Sequence, residues 1–200
     1  MNAFSKSFFS FCLLCLAPFV QVPLYAYDFL VGEYVTYDYS LQFIFCFILA
    51  LIFRKEYALF GVVLYLIFGL IGFPIFANGG GLSYFLEPSL GYLLALVLLV
   101  IFTVQFKNIS GFLFFPLSMI RNSAPFAILI AHVFGLLFLF ITARMNIINI
   151  LHLSMFQIIY DFVFAVIVTM LLSLLMPKSM SPEIEEQQYQ DFDLQPQQYI

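Results

Sequence analysis

Six apolar runs, each close to the length of a bilayer, dominate this chain. They extend from Phe8 to Leu24, Tyr37 to Phe53, Tyr57 to Phe73, Pro88 to Phe106, Ser123 to Thr142, and Met155 to Met176. A helix that crosses the hydrocarbon core needs about 20 predominantly apolar residues. Gly111 to Ile120 is apolar but shorter, and Pro116 interrupts it, so it reads as interfacial. A transmembrane β-barrel would show apolar/polar alternation, whereas Leu93 to Ile101 is apolar on every side. Composition closes the soluble alternatives. The chain is 64% hydrophobic and 9% charged, against about 45–50% and about 25% in soluble domains. Disordered, collagenous and disulfide-framework proteins are excluded on the same grounds. The predicted fold class is an all-α integral membrane protein of six transmembrane helices.

The charges orient the spans. With the N-terminus in the cytoplasm, Lys6, Arg54, Lys55, Lys107, Arg121 and Lys178 fall inside and Arg144 alone falls outside, as the positive-inside rule requires. The outer loops then hold Asp28, Glu33, Asp38 and Glu87, and six spans return the C-terminus to the cytoplasm. The net charge of −4 comes from the end of the chain, where Glu183, Glu185, Glu186, Asp191 and Asp193 lie within the last twenty residues. Residues 1–180 are expected to form the membrane domain. Residues 181–200, acidic, Gln-rich and without helical periodicity, are expected to be a disordered cytoplasmic tail. The first run could pass for a signal peptide, but the cleavage-like Ala26 lies behind Pro18 and Pro23, which favours a retained helix. Tyr25 to Tyr39, with five tyrosines and three acids, reads as an outer loop long enough to cover a cavity mouth, or as an interfacial aromatic belt.

Little in the chain speaks of catalysis. Cys12 and Cys15 form a C-x-x-C inside an apolar helix with no second Cys/His pair, so buried small hydrophobes are the reading. His132 and His152 have no partners at ligand spacing, and no metal or other cofactor is expected. No G-x-x-x-x-G-K-[ST], G-x-S-x-G or H-E-x-x-H occurs. One intramembrane acid and two histidines make a poor catalytic set. Seven cations against eleven acids, with no basic patch, exclude nucleic-acid binding. Gly61, Tyr65, Gly69 and Gly72 share one helix face, a device for close helix packing.

Two features suggest ligand chemistry. The segment from Gly72 to Tyr92 reads GFPIFANGGGLSYFLEPSLGY. Pro74 ends the third helix, Asn78, Gly79, Gly80 and Gly81 form a non-helical loop, and Pro88 opens the next helix. Irregular backbone at membrane depth is tolerated where protein covers it or it lines a cavity. A plain surface connection is the alternative, and the residues leave both open. Asp161 is the one acid well inside a span. Such residues commonly face a cavity or a partner, though near a helix end a water-reached carboxylate is the simpler alternative.

These residues carry a resemblance. Residues 40–106 resemble BioY, the membrane-embedded substrate-binding (S) component of biotin transporters of the energy-coupling-factor class. SLQ at 40–42, YLIFGLIGFPIFANGGG at 65–81 and EPSLGYLLAL at 87–96 are similar to the family's TLQ, YLxxGxxGxPxFxxGxGG and GPTGGYLxGF, with spacing kept. MFQIIYDFVFA at 155–165 is a weaker echo of PFxPGDxxKA. Asp161 matches the family's Asp. Phe164 stands at its Lys, Tyr160 at its Gly, and Ser89-Leu90 at a Thr-Gly pair. The A-x-x-x-A that S-components commonly use for docking is missing from the first helix.

The resemblance implies a compact bundle of six helices in the bacterial plasma membrane, with both termini cytoplasmic and an outward-facing cavity bounded by the loops between helices 1–2, 3–4 and 5–6. It implies biotin or a similar small molecule as substrate, and a coupling subunit and two ATPases as partners beside membrane lipid. Biotin is a neutral ureido bicycle on an acyl chain ending in a carboxylate. Asp161 would accept its ureido N–H groups, with Asn78, Gly79, Gly80, Gly81 and Tyr92 around its polar ends, and Arg144, the outward cation, facing its carboxylate. The expected function is therefore substrate capture for a vitamin-uptake transporter and not an enzyme. The alternatives are the same scaffold binding another metabolite, or a non-transporting membrane assembly protein.

Overall fold

The computed structural model describes residues 2–28, 32–77, 79–87, 89–107, 125–142 and 147–175; the side chains of 24–28, 35–39, 107, 147–156 and 173–175 are not described. Six helices carry the fold: α1 (Ala3–Leu16), α2 (Gln42–Ile52), α3 (Lys55–Ile71), α4 (Leu90–Lys107), α5 (Phe126–Thr142) and α6 (Ile147–Leu175). The expectation of an all-α chain is corrected between α1 and α2. There β1 (Gln21–Asp28) and β2 (Glu33–Ser40) pair antiparallel from Gln21↔Ser40 to Asp28↔Glu33. The first helix accordingly ends at Leu16, short of the expected Leu24. Pro18 turns the chain through a 3-10 turn at Ala17–Phe19, and QVPLYAYD and EYVTYDYS follow, rich in the Val, Tyr and Thr that favour strands. Pro23 is tolerated because both strands of a two-stranded hairpin are edges. Gly32 takes φ +78° in the connection. The segment read as an outer loop is thus a β-hairpin.

The helices pack through small residues and aromatic rings. Gly61 of α3 faces Ser10 of α1 so closely that a Cβ would sit 2.6 Å from the serine Cβ, and Gly69 gives its space to the Phe76 ring. Of the face expected from glycine spacing, Gly61, Tyr65 and Gly69 form a packing face, with Tyr65 fully buried in it, whereas Gly72 lies past the helix with open space around it. Gly72 at φ +126° ends α3. The core is a single apolar cluster drawn from α1 to α6, with Phe47, Tyr65, Phe76 and Leu96 among its largest enclosed side chains.

The outer faces are apolar too. Phe60, Val63, Ile67 and Ile71 lie exposed along α3, Val133, Leu137, Phe140 and Ile141 along α5, and Ile159, Val163, Ile167 and Leu171 along α6. The sets on α3 and α6 recur every three or four residues, and on α5 Phe140 and Ile141 both follow Leu137 at such a step, so each forms one stripe per helix. Among the described residues no helix is long and apolar enough to cross a membrane. α1, α2, α3 and α5 have 14, 11, 17 and 17 residues. α6 has 29, of which only 157–172 have described side chains.

Candidate functional site

One end of the bundle is basic. Lys6 Nζ lies 5.4 Å over the Tyr57 ring, Phe9 meets Phe53 edge-on at 6.2 Å, and Arg54 pairs with Glu56 at 3.6 Å on the exposed surface. α2 runs towards that end, α3 away from it, and α4 towards it again. The opposite end, where α3 closes and α2 and α4 begin, holds a pocket of about 110 Å³. A water needs roughly 10–15 Å³ of such space, so the pocket has room for several waters or a compact polar group.

The wall of this pocket is assembled from four parts of the chain. The foot of the hairpin and start of α2 supply Ser40, Gln42 and Phe43. The α3–α4 connection supplies Ala77, Tyr84 and Ser89. α4 supplies Tyr92 and Leu93, and α6 supplies Gln157. None of these is charged, so the described lining offers amide and hydroxyl groups between aromatic faces. Gln42 Nε2 donates to Tyr65 Oη at 3.0 Å, and Tyr65 Oη donates to the Ile75 carbonyl at 3.3 Å. The Gln42 amide is thereby anchored to α3 and to the chain leaving it. Ser89 Oγ is buried with no hydrogen-bond partner. The Tyr92 ring fits because Gly135 of α5 lies opposite, where a Cβ would come within 2.6 Å of it.

Behind this wall lies the most enclosed polar pair among the described residues. His132 of α5 and Asp161 of α6 are fully buried, with Nε2 and Oδ2 2.7 Å apart. The His132 ring stacks on Phe43 at 4.7 Å and 19° and meets Tyr92 edge-on at 5.8 Å and 65°. Asp161 thus stands one helical turn beyond Gln157 on α6 and is enclosed by protein.

Of the residues singled out in the sequence, Tyr92 lines the pocket and Asp161 lies behind its wall. Gly79, Gly80 and Gly81 shape the connection that holds Ala77 and Tyr84 in place. Gly79 N–H donates to the Phe76 carbonyl at 3.0 Å, and Gly81 N–H to the Gly69 carbonyl at 2.7 Å. Gly80 passes so close to the Phe73 and Gly69 carbonyls that a Cβ would strike them. Two of the three loop amides therefore serve the fold. Asn78 and Arg144 lie outside the described residues. Sequence reasoning did not single out Phe43, Tyr84, Gln157 or His132 as site residues. Gln42 had a signal, since it closes the SLQ motif. His132 had none, because its partner is 29 residues away.

Three comparisons bear on this geometry. The model of the BioY family matches residues 7–180. The probable biotin transporter BioY of Lysinibacillus sphaericus is 29% identical over 86 residues, 43% of this chain and 39% of that protein, so the matched region spans well under half of that relative. A crystal structure of the S-component for biotin from an ECF-type ABC transporter shares the fold, with a TM-score of 0.59 at 19% identity over 85% of this chain and 89% of that one.

Proposed function

Because the chain belongs to the BioY family, we propose that it is the substrate-binding component of a biotin-uptake transporter, capturing its ligand in the pocket formed by Gln42, Tyr84, Ser89, Tyr92 and Gln157. The observation that carries this reading is the position of the pocket. It is built where the SLQ segment, the glycine-bearing connection and the start of α4 converge, and those are the segments that resemble the family motifs. A neutral lining of amides and hydroxyls between aromatic rings suits an uncharged ureido ring, with the enclosed Asp161 behind it as the acceptor drawn on when the wall adjusts around ligand. Asn78 and Arg144 are proposed for the ligand's polar ends.

The bundle sits in the bacterial plasma membrane on this reading. The apolar stripes on α3, α5 and α6 would need solvation by lipid, since contiguous exposed apolar surface of this extent is rare on soluble monomers. The basic end faces the cytoplasm, both termini lie inside, and the pocket opens outward, because it lies at the end opposite Lys6, Arg54 and Lys55. Residues 1–180 form the membrane domain and 181–200 an acidic cytoplasmic tail. As the family resemblance implies, a coupling subunit and two ATPases supply the energy. A second reading, the same scaffold serving another small uncharged ring, is favoured by Phe164, which packs against the apolar core where the family resemblance places a lysine.

The test is a biotin titration of the purified chain in detergent, together with mass spectrometry of whatever small molecule co-purifies. Saturable biotin binding lost in Gln42→Ala supports the reading. A different co-purified ligand with no biotin binding favours the second.

A further inference from the structure

His132 has no part in the capture proposed above, yet its ring is the seat of the pocket's aromatic wall. An ionised carboxylate only accepts hydrogen bonds, so with Asp161 ionised it is Nε2–H of His132 that donates across the 2.7 Å contact. Nδ1 is then left buried with no hydrogen-bond partner. A buried ion pair is weak support for stability, and an apolar pair of similar volume commonly does as well or better. A polar pair with an unsatisfied ring nitrogen is therefore a poor answer to packing alone. What it does supply is direction. The bond to Asp161 fixes the tilt of the imidazole, and that tilt sets both rings leaning on it: Phe43, stacked within 19° of parallel, and Tyr92, at 65°. Phe43 and Tyr92 in turn meet at 6.2 Å and 71° and line the pocket.

We infer that His132 is a positioning residue that sets the specificity of the pocket. Anchored by Asp161, it keeps Phe43 and Tyr92 in one mutual orientation, an aromatic corner that selects a flat, uncharged ring over a flexible chain. The inference rests on reading the pocket as the ligand site.

Four forms of the full chain are compared in detergent: wild type, His132→Gln, His132→Leu, and His132→Leu/Asp161→Leu. Glutamine offers an amide N–H close to the place of Nε2–H. The double variant removes the carboxylate together with its imidazole partner, which protects the fold. The chain has no tryptophan, so Phe43→Trp introduced into each form places a single emitter on the wall, and its quenching by acrylamide reads the wall without any ligand. His132→Gln is expected to bind biotin within about threefold of wild type and to leave the quenching unchanged. His132→Leu is expected to lose about tenfold or more in affinity, and both leucine variants to raise the quenching, while the double variant keeps its melting temperature. A His132→Leu form that binds as wild type does, or quenching unaffected by either leucine variant, overturns the inference. If wild type binds no biotin, the ligand reading fails separately. The quenching series then decides alone: a rise in both leucine variants but not in His132→Gln upholds the role, and any other pattern rejects it.

Discussion

At the scale of single residues, an imidazole and a carboxylate enclosed together in an apolar interior hold each other in place, and this changes what substitution of Asp161 should do. If α6 spans the membrane as proposed, removing a charge from it is favourable on insertion by about 2.5–3.5 kcal/mol. The 2.7 Å contact to His132 opposes that gain. Asp161→Leu leaves a buried N–H without an acceptor, at about 1–3 kcal/mol, which offsets the gain, so it is expected to melt close to wild type in a thermal scan. Asp161→Asn keeps an oxygen for Nε2–H and should retain the fold. Its loss of the charge-assisted bond should weaken biotin by about 1.5–3 kcal/mol, roughly ten- to hundredfold, in a binding titration. Backbone approach sets a second residue-scale limit at Gly80, where any side chain meets the Phe73 and Gly69 carbonyls. Gly80→Ala is expected to displace the connection bearing Ala77 and Tyr84 and to abolish ligand binding. Gly79→Ala, with open space around it but φ +102°, should cost only the strain of a left-handed residue, about 1–2 kcal/mol.

At the scale of elements, α3 joins the two ends of the molecule. It begins beside the exposed Arg54–Glu56 pair, which contributes little, and ends at Gly72 next to the connection that builds the pocket. Tyr65 on its buried face ties Gln42 of α2 to the Ile75 carbonyl. Tyr65→Phe should remove both bonds while keeping the ring against Phe76, lowering stability by about 1–2 kcal/mol. Biotin affinity should fall with it, because the Gln42 amide loses its anchor. Measuring the melt and the titration on one sample separates the two effects. The hairpin is the element least foreseen. Its strands were visible as Val-, Tyr- and Thr-rich stretches after Pro18, but overall hydrophobicity invites a helix to run on to Leu24. Backbone pairing from Gln21 to Ser40 wins because Pro18 stops α1 before that stretch begins.

For the whole molecule, the arrangement of ends yields a topology test. If the pocket end faces outward, Glu33→Cys at the hairpin is expected to react with an impermeant maleimide in intact cells. Labelling only after permeabilisation would reverse the orientation. Removal of residues 181–200 should leave melting temperature and biotin binding unchanged if the membrane domain ends near residue 180.

Sequence alone was enough for the number and order of the helices, since each is written as a continuous apolar run whose length and spacing are local properties. It was also enough for the family, because the SLQ, glycine-loop and EPSLGY segments keep their spacing, and for the packing role of Gly61, Tyr65 and Gly69, because i, i+4 spacing projects directly onto a helix surface. Gly72 lies beyond the helix, with open space around it. What the tertiary structure decided is which distant side chains meet. His132 and Asp161 are 29 residues apart on different helices, Gln42 and Tyr65 are 23 apart, and no periodicity within one segment encodes either pair. The pocket and the aromatic corner before Asp161 arise only once α2, α4, α5 and α6 are packed, because a cavity is a property of the space between elements and leaves no signature in any one of them.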